Sequence, residues 1–428
     1  MNDPASSPPW TTYTARIYRD RKGIPNLGTV VFEEIEAKAK EKLKDNHEAF
    51  MFAAGSAGIS STLRANLEAF ERYRIVPRML VDATVRSLET SLFGVKYPSP
   101  ILMAPIGLQG IFSPEAELAP TRASQKLGVP YIMSTASSRS IEDVAKANGT
   151  GHRWFQLYWC KTPQVTLSLL ARAKANGFTT LVLTVDTMRT GWRPADLGKG
   201  YLPIGYAIQV GLSDPVFMAQ QGREPIQSPR TEFPFDLAGF NRLLDAGDPE
   251  ALDTVRLGAA WGAEINSGHF YTWDDLAFIR SHWEGPLVLK GIQSVQDAEM
   301  CLRYGVDGIV VSNHGGRQVD GAIGTLDALE RIMQSSAVRT AQAEGKFTVL
   351  FDSGIRTGPD IFKAIALGAQ AVLVGRPWLY GSIVAGQEGV EQVLLSILAD
   401  LDVTLGLAGF RSLDELRGKA DEILVQTD

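Results

Sequence analysis

The residues able to do chemistry stand at the ends of short apolar runs. One run ends in Ser312-Asn313-His314-Gly315-Gly316-Arg317, another in Thr184-Val185-Asp186 with Arg193 shortly after, and a third at Lys290. Imidazole titrates near neutrality, so His314 is the candidate general base. Asp186 is the candidate partner that orients it and stabilises its protonated form. Arg193 and Arg317 suit a bidentate clamp on a carboxylate. Lys290 would place positive charge where anionic charge develops. Asp352-Ser353-Gly354-Ile355-Arg356 and Gly375-Arg376 both set arginine after glycine. Glycine lets backbone N–H groups approach an anion and arginine adds a forked charge, which suits phosphate. The competing readings are plain turns for these glycines and a salt bridge for Lys290.

These residues need a frame that brings run ends together. Eight runs recur from residue 101: Ile101–Ala104, Tyr131–Ser134, Trp154–Tyr158, Leu181–Asp186, Leu287–Lys290, Gly308–Ser312, Thr348–Asp352 and Ala371–Gly375. They lack strict alternation, as strands buried on both faces do. Helical patterns separate most of them: one opens at Ser140, and others cover Pro163–Ala175, Ser294–Tyr304 and Pro359–Leu367. Eight βα units in series predict an α/β fold of the TIM (β/α)8 type, with a doubly wound open sheet as the alternative. In a barrel, reactive groups gather at the strand ends, and phosphate sits after strands seven and eight.

Residues 1–30 read as an arm and 31–428 as the barrel domain. Residues 31–73 read as helical, broken at Gly55–Gly58. Run five comes late, so 194–271 must hold a helix and a long insertion after strand 4. It is expected to be a lid over the strand ends, the other reading being a mobile surface insertion.

Composition narrows the function. Hydrophobic residues at 45% and charged residues at 21% are ordinary for a folded chain and exclude a largely disordered one. The net charge is −6 with no dense basic block, which disfavours nucleic acid. Cys160 and Cys301 build neither a disulfide framework nor a four-cysteine zinc site, and a cytoplasmic setting is expected. The five histidines are scattered, so no metal is expected. There is no Gly-x-Gly-x-x-Gly after the first run and no Walker A sequence, and Ala54–Gly58 only approximates a nucleophile elbow. No signal peptide, membrane span or Ser-Lys-Leu ending is read.

Several stretches together resemble the FMN-dependent α-hydroxy-acid oxidases and dehydrogenases. They are Val311–Gln318, Phe155-Gln156-Leu157-Tyr158, Leu183–Thr187, Leu367-Gly368-Ala369 and Val374-Gly375-Arg376-Pro377, in matching order from about residue 30 to the end. Trp192–Leu197, Asp214–Phe217 and Leu350–Arg356 resemble the lactate 2-monooxygenase branch. The resemblance implies oxidation of a 2-hydroxy acid to a 2-oxo acid, O2 as acceptor, possible oxidative decarboxylation, and a homotetramer. It implies that Ser134, Gln156, Thr184, Lys290 and Ser312 contact the flavin, with Lys290 steadying negative charge around its pyrimidine ring. Asp352, Gly354, Arg356, Gly375 and Arg376 would hold the phosphate. The backbone of Ala104-Pro105-Ile106-Gly107 would lie near the reactive flavin nitrogen. Tyr158, Arg193 and Arg317 would bind substrate, with His314 as base and Asp186 its partner.

One position departs from the family. The family's carboxylate-binding tyrosine aligns with Met51, which cannot donate that hydrogen bond. A bulkier or less polar hydroxy acid is therefore expected. The alternatives are another α-substituted acid, such as a cyclic amino acid, or a flavin-binding protein without turnover.

Overall fold

Aliphatic residues that suit a pleated surface covered on both sides form eight short parallel strands. The computed structural model describes Trp10–Thr427. The strands are β1 (Ile101–Met103), β2 (Tyr131–Ser134), β3 (Arg153–Leu157), β4 (Leu181–Thr184), β5 (Leu287–Ile292), β6 (Gly308–Val311), β7 (Thr348–Phe351) and β8 (Ala371–Val374). Each pairs with the next and β8 returns to β1, so the sheet closes into a barrel. The eight expected runs are the eight strands, and the open-sheet alternative is excluded.

Period two along each strand sorts the side chains into two cores. Leu102, Ile132, Trp154, Val182, Val288, Val310, Leu350 and Leu373 pack together inside the barrel. Alternate residues such as Met103, Phe155, Leu183, Leu289 and Val311 join the larger core under the helices. A hairpin, Thr90–Leu92 with Val95–Tyr97, adds Leu92, Phe93 and Tyr97 to the inner cluster. It sits at the N-terminal mouth, where Thr90 Oγ1 donates to the Gln370 carbonyl just ahead of β8.

Two residues beyond each inner hydrophobe, on the same face, come Ala104, Ser134, Gln156, Thr184, Lys290, Ser312, Asp352 and Gly375. Strand register sets Ser134 beside Gln156 and Thr184 beside Lys290. The pleat thus turns a linear pattern into one ring of small and polar residues at the C-terminal mouth.

Local signals fix the helices. Ser140 and Ser294 cap the helices Ile141–Asn148 and Val295–Arg303 by accepting from the third residue on. Thr357 and Asp360 form a reciprocal capping box on Gly358–Ala366. Ahead of the barrel lie α1 (Thr11–Asp20), α2 (Phe32–Lys42), α3 (His47–Ala54) and α4 (Ser61–Glu71). The break between α3 and α4 contains Gly55–Gly58, as expected. Within residues 1–30, α1 rests on the chain's own long helix Arg376–Leu407, where Thr11 N–H donates to Asp402 Oδ2 at 3.1 Å. The sequence shows little periodicity there, and the polar, proline-containing start lies outside the described residues up to residue 9.

The 194–271 segment is folded. It carries the helices Pro194–Leu197, Pro215–Gln220, Leu237–Asp245 and Pro249–Ile265. Asp214, Asp236 and Asp248 cap the last three, two of them just ahead of a proline suited to a first helical turn. Phe217 and Trp261 pack edge to face at 5.0 Å inside it.

Candidate active site

The ring at the C-terminal mouth floors a cleft of about 1050 Å³, counting the space open to solvent. That is the size range of sites for small molecules and cofactors. Phe52 and Ala53 of α3, the β1 loop Ala104–Leu108, and Ala136 after β2 form part of its wall. Tyr158, Arg193, Lys290, His314, Arg317 and the β7 and β8 ends complete it.

His314 follows β6 in a left-handed conformation, φ +59°. Ser312 Oγ accepts from its N–H at 3.1 Å, and the next N–H, of Gly315, donates to Ser353 Oγ at 2.9 Å. Asp186 Oδ1 lies 2.8 Å from His314 Nδ1. Thr187 Oγ1 donates to the same carboxylate oxygen at 2.6 Å. A carboxylate only accepts, so the proton is assigned to Nδ1 and the Nε2 lone pair is left free. Burial would raise the Asp186 carboxyl, but the charges of His314 and Lys290 and the bonds from His314 and Thr187 hold it well below the ordinary carboxylate range. Burial pushes the His314 imidazole below its ordinary value; Asp186 pulls it up, while Lys290 and Arg193 add to the depression. A neutral imidazole with a free Nε2 is a general base at neutral pH.

Lys290 Nζ donates to Ser312 Oγ at 3.0 Å and stands 3.4 Å from Asp352 Oδ2 and 4.0 Å from Asp186 Oδ2. Burial alone would lower its pKa, yet Asp352 and Asp186 outweigh that and raise it, so the ammonium is charged. Lys290 therefore pairs with acids and also faces the cleft. Beside it, Gln156 Nε2 donates to Thr184 Oγ1 at 2.9 Å, and Ser134 Oγ accepts from Ala136 N–H.

Four arginines also line the cleft. Arg317 Nη1 donates to the Gly55 carbonyl at 2.8 Å, and its guanidinium lies 5.3 Å from the Phe52 ring centre. Arg193 Nε donates to the Arg317 carbonyl, and its Nη2 to Gln318 Oε1. Arg376 bonds the carbonyls of Ala53, Gly55 and Gly315. Arg356 lies over the Phe32 ring at 4.2 Å. Burial holds Arg317 well below the ordinary guanidinium value, and Arg193 and Arg376 add to it. Burial and then Arg376 push Arg356 down to about 10. Five cations face the cleft, against the carboxylates of Asp352 and Asp186. Bound anions would relieve that excess. Tyr158 keeps its hydroxyl proton, since burial and then Asp186 raise its pKa.

Of the residues singled out from sequence, fifteen line the cleft: His314, Tyr158, Arg193, Arg317, Lys290, Ala104, Pro105, Ile106, Gly107, Ser134, Asp352, Gly354, Arg356, Gly375 and Arg376. Asp186 stands behind His314, while Gln156, Thr184 and Ser312 are buried among the polar contacts beneath. Met51 is not among the lining residues and packs half-buried against the core. Its neighbour Phe52 faces the cleft instead, because consecutive residues on a helix point about 100° apart. Sequence reading missed Phe52, Ser353, Thr187 and Gln318; the last three flank residues it did pick. The insertion contributes no lining side chain, and its Tyr201 ring backs Phe52 at 6.1 Å. Among the described residues no acid, histidine or cysteine cluster suits a metal ion, and no helix is long and apolar enough to cross a membrane.

The family model for FMN-dependent dehydrogenase matches residues 39–422. The chain belongs to the FMN-dependent dehydrogenase family. It is 44% identical over 405 residues to the FMN-dependent alpha-hydroxy acid dehydrogenase qulF of Penicillium citrinum, covering 94% of this chain and 93% of that protein. It is 40% identical to an L-lactate oxidase of Lysinibacillus sphaericus, with 91% of each covered. A crystal structure of mandelate oxidase superposes with a TM-score of 0.73 at 35% identity, covering 93% of this chain and 98% of that one.

This FMN-dependent dehydrogenase family member therefore uses FMN and oxidises an α-hydroxy acid. The cleft fits the cofactor. Arg356 and Arg376 flank the β7 and β8 ends, and among the described residues no side chain caps the helix that starts after Gly375, an end suited to an anion. Gly354 has φ +103°, and a Cβ there would meet Asn66 O and the Phe70 ring at 2.8 Å, so only glycine fits this bend. These groups would hold the phosphate, and Lys290 with the Gln156–Thr184 pair would meet the polar ring edge. Bound FMN supplies the acceptor for two electrons. The Arg193 and Arg317 guanidiniums and the Tyr158 hydroxyl line the cleft and are suited to holding a carboxylate. His314 Nε2, with Asp186 bonded to the far ring nitrogen, is suited to accepting a proton, and the carboxylate would stabilise the imidazolium that formed.

Proposed function

We propose that this enzyme oxidises a 2-hydroxy acid whose side chain is apolar and larger than methyl, with O2 as terminal electron acceptor. The observation that carries it is Phe52, an aryl face on the cleft wall directly beneath Arg317, while Met51 stays out of the cleft. A substrate carboxylate held by Arg317 would set its side chain near that face and near the small residues Gly107 and Ala136. Relatives named for substrates of both sizes, an L-lactate oxidase and an (S)-mandelate dehydrogenase, are similar along most of the chain.

The test is anaerobic flavin bleaching by a panel running from L-lactate to 2-hydroxy-4-methylpentanoate and mandelate. The larger acids should give the higher kcat/KM for reduction. A higher value for lactate overturns the proposal.

The reading extends to product fate. If the 2-oxo acid and hydrogen peroxide stay together in the cleft, they would react to give the shortened acid, CO2 and water. Product analysis under air distinguishes this from release of oxo acid and peroxide. A homotetramer acting in the cytoplasm completes the proposal, and light scattering of the purified chain tests its size.

A further inference from the structure

Glu117 is a carboxylate with no exposed surface. Buried acids normally pair with a cation or a metal. The groups that favour the charged form of Glu117 are instead hydrogen-bond donors: the backbone N–H of Ser138 and of Gln109, and the Ser137 hydroxyl. One oxygen, Oε1, accepts from Ser138 N–H at 2.9 Å and from Gln109 N–H at 3.2 Å. Burial outweighs the donors and raises this carboxyl to about 7.

The two N–H groups come from different loops, and both loops wall the cleft. Gln109 follows the β1 loop Pro105–Leu108, and Ser138 follows Ala136 after β2. The loops touch further up as well. Leu108 N–H donates to the Ala136 carbonyl at 2.8 Å, and Gly110 N–H to Ser138 Oγ at 3.0 Å. The join is tight and bent. A Cβ on Gly107 would fall 2.6 Å from the Ala136 carbonyl oxygen, and Leu108 is held at φ +59°, a conformation that costs a side-chain-bearing residue energy. Glu117 Oε1, accepting from both N–H groups, adds a buried side-chain tie between the same two loops.

We propose that Glu117 is a positioning residue that bolts the Pro105–Leu108 wall to the Ala136 loop, and that the wall so fixed sets how tightly and in what surroundings FMN is held. The proposal rests on the cofactor assignment. It concerns a residue that touches neither cofactor nor substrate and acts through the two backbone segments it joins. Without Glu117 both N–H groups lose their acceptor in a buried place, and the strained turn is free to relax away from Ala136.

The full-length protein, stripped of FMN, is titrated with FMN as wild type, Glu117→Ala, Glu117→Gln and Glu117→Asp. The readouts are the dissociation constant, the visible spectrum of bound flavin and the denaturation midpoint of the apoprotein. Glu117→Ala is expected to weaken FMN about tenfold or more and to shift the spectrum. Glu117→Gln keeps a side-chain carbonyl for both donors and is expected to restore both readouts towards wild type. Glu117→Asp keeps the carboxyl group but withdraws the oxygen; it should fold, even if the alanine variant does not, and weaken FMN. Alanine or aspartate variants with wild-type affinity and spectrum, altered only in denaturation midpoint, would overturn the proposal and leave Glu117 a stabilising residue only. Wild-type protein that takes up no FMN would instead sink the cofactor assignment.

Discussion

His314 and Asp186 meet at 2.8 Å across an intervening strand. Asp186 follows β4, His314 follows β6, and Lys290 of β5 lies beneath them, 4.0 Å from the far oxygen of the Asp186 carboxylate. The arrangement balances opposite demands. The carboxylate orients the imidazole and stabilises its cation, while the ammonium and burial keep the resting imidazole neutral.

A pH profile follows from that balance. Only neutral His314 can accept a proton, and its pKa is depressed below 6.5 by burial. Activity is therefore lost as pH falls through the depressed value and is level above it. The kcat/KM for anaerobic flavin reduction should rise with pH, with its midpoint below 6.5. A midpoint above neutrality would count against a neutral resting base.

Asp186→Asn should leave flavin binding near wild type but slow reduction by about a hundredfold or more, because an amide can present its N–H to Nδ1 and favour the wrong tautomer. The acid limb should also move lower, since the imidazolium loses its counter-charge. Single-turnover reduction across pH checks both effects.

Arg317→Lys keeps a charge but loses the forked donor geometry. It should raise KM for the hydroxy acid by about ten- to a hundredfold, equivalent to losing one charge-assisted hydrogen bond. FMN affinity should change little, which equilibrium titration tests independently.

Arg356→Gln acts at the other end of the cleft. Wild type should prefer FMN strongly over riboflavin, which lacks the phosphate. The variant should lose most of that preference by weakening FMN alone, and competition between the two flavins measures it.

Phe52→Ala should shift selectivity towards small acids, while Met51→Leu should leave it nearly unchanged, because Phe52 faces the cleft and Met51 does not. Ratios of kcat/KM for mandelate and lactate separate the two residues.

Much of this site was legible in the chain because a barrel converts strand ends into neighbours. The step of two from Val182 to Thr184, or Val288 to Lys290, carries both core and site, and it can be read without coordinates. The helical entrance was less legible. Met51 and Phe52 are adjacent in sequence, and only the rotation of α3, set by packing against α2 and the Pro194–Leu197 helix, decides which faces the cleft. Nor does sequence show that Glu117 lies under two loops, since its partners are backbone N–H groups. The insertion's helices were hidden by its prolines and glycines, several of which lie at helix starts and turns.

The most direct test is the rate of anaerobic flavin reduction in FMN-loaded His314→Ala at saturating hydroxy acid. The expected result is a fall of about a hundred- to ten-thousandfold with the flavin still bound, the range for removing a general base. Reduction at the wild-type rate would show that His314 Nε2 is not the proton acceptor.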